Sequence, residues 1–171
     1  MNVKLATIQA LGHAGGAKAI DRLLTLSAST TMNVKLATIQ ALGHAGGAKA
    51  IDHLLIMSVS TVMNVKLTAI QALGHAGGAK AIDRLLTLSS SPTMNVKLTA
   101  IQALGHAGGA KAIDRLLTLS SSPTMNVKLT AIQALGHAGG AKAIDRLLTL
   151  SSSPTMNVKL AAIQALGMLK F

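Results

Sequence analysis

The pentapeptide Met-Asn-Val-Lys-Leu begins at Met1, Met32, Met63, Met94, Met125 and Met156, 31 residues apart each time. A chain that copies itself at this interval folds as a stack of like units, because one short unit cannot bury an apolar face alone. The repeats run 1–31, 32–62, 63–93, 94–124 and 125–155, with a terminal half-repeat at 156–171. The third, fourth and fifth are identical. The unbroken period reads as a single domain over residues 1–171.

Each repeat reads as two short helices. In the third, helix A is expected over 63–73, with Gly74 as the left-handed residue just past its end. His75, Ala76, Gly77 and Gly78 then form the turn. Helix B is expected over 79–89, and Thr93 is placed to cap the next helix A. Helices of about three turns are marginal alone and need neighbours. The expectation is therefore all-α: eleven helices in a right-handed α-solenoid of five complete units and a terminal single helix.

Composition narrows what such a stack can be. Phe171 is the one aromatic residue, so a core of Ala, Leu, Ile and Val requires helices that approach closely. There is no Cys, which excludes disulfides and thiolate metal sites. The first residues lack the apolar core of a signal peptide. No run of 18 apolar residues offers a membrane span. The chain reads as soluble, and as cytoplasmic if natural.

At 100° per residue, Val65, Ala69, Ala72, Leu73 and Ala76 form the buried stripe of helix A. The opposite side carries a nearly neutral polar strip, bordered by Leu67. Its candidate binding residues are Asn33, Gln40, His44, Asn64, Thr68, Gln71, His75, Asn95, Thr99, Gln102, His106, Gln133 and His137. In helix B, Ala81, Ile82, Leu85, Leu86 and Leu88 point inward, while Lys80, Asp83, Arg84 and Thr87 point out. Net charge is +11. This basic ribbon supplies the candidate polyanion contacts Lys49, Lys80, Arg84, Lys111, Arg115, Lys142 and Arg146. One helix layer is expected to line a concave side and the other a convex side.

The residues Val65, Lys66, Ala72, Leu73, Gly74, Gly77, Ala81, Ile82, Leu85 and Leu88 resemble the short HEAT-like repeats of the phycobilisome-lyase class. They resemble in particular the engineered consensus HEAT-like alpha-repeat proteins. The resemblance implies a protein-binding scaffold, with helix A as the variable concave surface, and lyase-type enzymes as a minority. Two positions depart from the pattern: Gly78 and Thr93 stand where the family usually has an acidic cap. Near-identity of the repeats points to a designed or engineered chain. A narrower resemblance joins His75 to Ile82 with the turn of TAL-effector-like DNA-binding repeats. That resemblance makes His75-Ala76 a base-reading dipeptide and implies a nucleic-acid-binding solenoid as the alternative function.

The turn histidines His13, His44, His75, His106 and His137 invite a metal reading. Packed helices stand roughly 8–10 Å apart, against about 2 Å for a zinc–nitrogen bond, so no metal site and no cofactor is expected. His53, where other repeats have Arg, reads as a surface substitution. Ser89, Ser90 and Ser91 read as linker. The five acids lie one per repeat on helix B, so paired carboxylates for acid–base catalysis are not expected, and the chain reads as non-enzymatic. Gly77-Gly78 lacks phosphate-loop spacing. The apolar tail of Met168, Leu169 and Phe171 is expected to fold over the last helix or to dock on another molecule, giving weak end-to-end association.

Overall fold

The computed structural model describes residues 2–169; Met1, Lys170 and Phe171, and with Phe171 part of the expected tail plug, lie outside the described residues. Among the described residues there are eleven α-helices and no strand. Helix A of each repeat is α1 (Asn2–Ala14), α3 (Met32–Ala45), α5 (Met63–Ala76), α7 (Met94–Ala107), α9 (Met125–Ala138) and α11 (Met156–Gly167). Helix B is α2 (Gly16–Ser27), α4 (Ala48–Met57), α6 (Ala79–Leu88), α8 (Ala110–Leu119) and α10 (Ala141–Ser151). The helices group into two compact bodies, Met1–Arg84 and Leu85–Phe171.

In the first body α1, α3 and α5 pack side by side, and α2 and α4 form a second layer against them. In the second body α7, α9 and α11 form one layer, and α8 and α10 the other. Each body is thus a stack of helical hairpins, the arrangement of an α-solenoid. Within α3 the buried residues are Val34, Thr38, Ile39, Ala41, Leu42 and Gly43. That arc is wider than the expected stripe and includes Ile39, whose counterpart Ile70 was not assigned to it. It is wider because α1, α5 and helix B cover α3 from different sides.

The expected helix A ends too early. It continues through the histidine to Ala76, and Gly74 lies buried inside it rather than past its end. The corresponding glycines work by having no side chain. A Cβ on Gly43 would fall 2.8 Å from the Cα of Ala72, and one on Gly12 would fall 2.9 Å from the Cα of Ala41. The same relation joins Gly105 to Ala134 and Gly136 to Ala165 in the second body. Glycine facing alanine brings adjacent A helices to backbone contact, as a core almost without aromatics demands.

The reversal between helices is confined to two residues. Gly46 has φ 64° and ψ −159°, and Gly47 has φ 82° and ψ 161°. Both combinations are essentially glycine-only. At the other end of each hairpin, Thr93 holds the cap position in extended conformation, but its side chain makes no capping hydrogen bond. Val62 fills the equivalent place, since no hydroxyl is needed there. The backbone N–H of Thr93 instead donates to Ser91 Oγ at 3.2 Å.

Candidate functional site

The polar strip forms as a surface feature in each body. Asn33, Gln40, His44, Asn64, Gln71 and His75 are exposed in the first body. Asn95, Gln102, His106, Gln133 and His137 are exposed in the second. Thr68 and Thr99 are half-buried, and their hydroxyls donate at 2.7 Å to the carbonyls of Asn64 and Asn95. In the second repeat the order Ala37-Thr38 replaces Thr-Ala. Thr38 is wholly buried there, with its hydroxyl on the Val34 carbonyl at 2.7 Å. Between α1 and α3 the strip encloses a groove of about 120 Å³ lined by Gln9, His13, Ala37, Gln40, Ala41 and His44.

The turn histidines are closer than helix spacing alone suggests. Ring centroids lie 5.6 Å apart for His13 and His44, and 5.1 Å for His44 and His75. In the second body His106 and His137 are 4.7 Å apart. Spacing between helix axes does not separate side chains that lean toward one another at the ends of closely packed helices. The ring planes are inclined by only 28–38°, so their in-plane lone pairs run side by side instead of meeting at a common ion. Among the described residues no group of three or more His, Asp or Glu could hold a metal ion. Burial, and then the neighbouring His44, hold the pKa of His75 below the ordinary 6.5.

The basic residues of helix B meet the preceding repeat. Lys49 Nζ lies 3.0 Å from Asp21, Lys80 Nζ 3.0 Å from Asp52, and Lys142 Nζ 2.9 Å from Asp114. Each of these ion pairs crosses a repeat boundary. The arginines reach the linker. Arg84 Nε donates to Ser58 Oγ at 3.1 Å. Arg115 donates to Ser89 at 2.9 Å and Ser90 at 2.8 Å. Arg146 does the same with Ser120 and Ser121, at 2.9 and 2.7 Å. Lys111 occupies the position equivalent to Lys80 and Lys142.

Those serines are residues that the sequence reading passed over as linker. A signal was present: the linker keeps Ser-X-Ser in every complete repeat, while the middle residue varies from Ala28 to Val59 to Ser90. The first serine accepts the arginine, and the second accepts the backbone N–H that starts the next helix. Where His53 replaces arginine, its Nε2 is shielded and has no hydrogen-bond partner among the described residues. Burial holds its pKa below 6.5. His53 is therefore half-buried, not a neutral surface exchange. At the other end of the second body, Met168 and Leu169 line a cavity of about 420 Å³ with the His137–Gly140 turn.

No helix among the described residues is long and apolar enough to cross a membrane. No curated protein matches the chain. Among solved structures, the complex of CpcE and CpcF of phycocyanin lyase from Nostoc sp. PCC7120 matches with a TM-score of 0.62 at 21% identity, over 91% of this chain and 66% of that one. Human deoxyhypusine hydroxylase matches with a TM-score of 0.52 at 18% identity, over 96% of this chain and 78% of that one. An engineered protein matches with a TM-score of 0.48 at 24% identity, over 94% and 87%. At these identities the first two show a shared fold, and two of these neighbours are named as enzymes. The sequence pattern of HEAT repeats matches residues 60–124 and 113–170, well over half of the sequence. Together with the stacked hairpins, that match places the chain in the HEAT repeat family.

Proposed function

We propose that the chain is a non-enzymatic scaffold that binds a protein partner through the Asn, Thr, Gln and His strip of its A helices. One observation carries this reading: the helix B ribbon is engaged in fastening repeat to repeat, through Lys80–Asp52 and Arg84–Ser58, whereas Gln71 and Asn64 stand exposed on the other layer. A surface used internally is poorly placed to vary with a partner. The copying of one module three times supports an engineered origin, and the continuous period supports one domain over 1–171.

The test is a library of displayed peptides or small domains panned against the full chain. Binders to the first body are expected to lose at least tenfold in affinity on Gln40→Ala with Gln71→Ala, and to keep it on Lys80→Ala. Retention of DNA or RNA by the full chain that falls steeply as salt rises and is lost on Lys80→Ala or Lys142→Ala would replace this reading by the nucleic-acid alternative. Self-association is the second part of the proposal. Val3 is 81% exposed where Val34 is 3%, and Ile163 is 50% exposed where Ile132 is 0%. In this 171-residue polypeptide, those faces can stack on a second copy as repeats stack within one body.

A further inference from the structure

We propose that the imidazole ladder is an acid-sensitive element: proton uptake by its histidines loosens the packing of the A helices, whatever partner the strip takes. The argument begins with placement. His13, His44 and His75 occupy the last turns of α1, α3 and α5, and His106 and His137 those of α7 and α9. Each therefore sits where adjacent helices touch backbone to backbone through Gly43 and Ala72 or their equivalents. The rings of neighbouring repeats stand 4.7–5.6 Å apart and face each other at shallow angles. Neutral rings at that distance gain stacking contact. Two imidazolium ions there repel, and with the helices held by the glycine–alanine contact the charges spread either by the rings leaning apart, which gives up their stacking contact, or by opening the interface.

Around His44 and His137 the surrounding charges do not compensate. Around His44, the facing ionisable groups are His13 from α1 and His75 from α5. Lys35 on α3 itself, Lys4 on α1 and Lys66 on α5 lie near the opposite ends of those helices. The helix B charges, Lys18, Asp21 and Arg22 on α2 and Lys49, Asp52 and His53 on α4, belong to the far layer, where Lys49 pairs with Asp21. Around His137 the arrangement is alike. His106 faces it from α7; Lys128 of α9, Lys97 of α7 and Lys159 of α11 lie near their helix starts. Lys111, Asp114 and Arg115 of α8 and Lys142, Asp145 and Arg146 of α10 lie in the other layer. All five acids of the chain are on helix B. The helix C-terminus favours the cationic ring; at His75, burial and His44 outweigh it.

Two measurements on the full chain decide the matter. The first is the titration of His75 by NMR, in the unchanged chain and in His44→Gln. The midpoint is expected below 6.5 and is expected to rise when the stacked neighbour can no longer take a charge. The second is chemical unfolding at about pH 7.5 and about pH 5, with His13, His44 and His75 all changed to Gln for comparison. Acidification is expected to raise the unfolded fraction more in the unchanged chain than in the variant. His53 is present in both and cancels. An unmoved His75 midpoint in His44→Gln, together with equal acid sensitivity of the two chains, overturns the proposal.

Discussion

Gly43 faces Ala72 so closely that a Cβ on the glycine would stand 2.8 Å from both the Cα and the carbonyl oxygen of the alanine. Gly43→Ala is a substitution in which two effects compete. Alanine in a helix interior gains about 1 kcal/mol of intrinsic propensity over glycine. Overpacking against backbone that cannot rotate away costs about 1–3 kcal/mol. The contact is with backbone rather than a flexible side chain, so the clash is expected to prevail, with a net loss of up to about 2 kcal/mol in chemical unfolding. A variant as stable as the parent would mean that α3 and α5 slide apart freely.

The linker serines and the exposed ion pairs are expected to separate in importance. Ser89 is buried, donates to the Leu86 carbonyl and accepts from Arg115. Ser89→Ala leaves Arg115 without that acceptor and is expected to cost about 1–2 kcal/mol. Asp114→Asn breaks a pair whose side chains are more than half exposed, worth at most about 1 kcal/mol and screened by salt. Unfolding of both variants at low and high salt checks the order.

His53→Arg is expected to stabilise the chain. By the register of Arg84 on Ser58, an arginine at 53 reaches Ser27, and the shielded Nε2 disappears. The gain expected is about 1 kcal/mol near neutral pH. It should grow on acidification. The folded-state pKa of His53 is depressed below 6.5, so its contribution is intact above pH 6.5 and is lost as pH falls through the folded value. Arginine has no such titration. Equal denaturation midpoints for the two chains from about pH 8 to pH 5 would contradict this.

End-to-end association is expected to be weak and to strengthen with salt. Val3 in the first body, and Leu160 and Ile163 in the second, are half-exposed or more, and apolar burial is worth about 25 cal/mol per Å². Association entropy removes much of that, while the net charge of +11 opposes contact until screened. Light scattering over concentration should give a rising mass at high salt. A constant monomer mass at millimolar concentration refutes the idea.

The two helices per repeat were legible from the period and its Gly-Gly punctuation, and the side on which Asn64, Gln71 and His75 lie was legible because these polar residues fall together at 100° per residue on an otherwise widely buried helix A. Gly74 was misassigned because a glycine needed for close approach and one needed for a left-handed turn look alike in sequence. The Gly-Gly pair three residues on was the better turn. The nearness of the histidine rings could not be read from axis spacing, since it depends on how far the side chains lean. Lys80–Asp52 and Arg84–Ser58 join residues 28 and 26 apart, a register that exists only once repeats are stacked. The retained Ser-X-Ser was its one trace.

The turn between the helices has a consequence in the currency of chirality. Gly46 and Gly47 hold backbone angles that are mirror images of ordinary extended chain, so what they exclude is handedness, not bulk: no heavy atom lies within 4 Å of a Cβ on Gly46. No encoded residue other than glycine adopts those angles without strain, whereas a D-alanine introduced by chemical synthesis has them within its favoured backbone range and would restrict the unfolded chain as well. Randomising a repeat through the genetic code would therefore return the same glycines every time. Diversity would collect on the open side of helix A, where handedness imposes nothing.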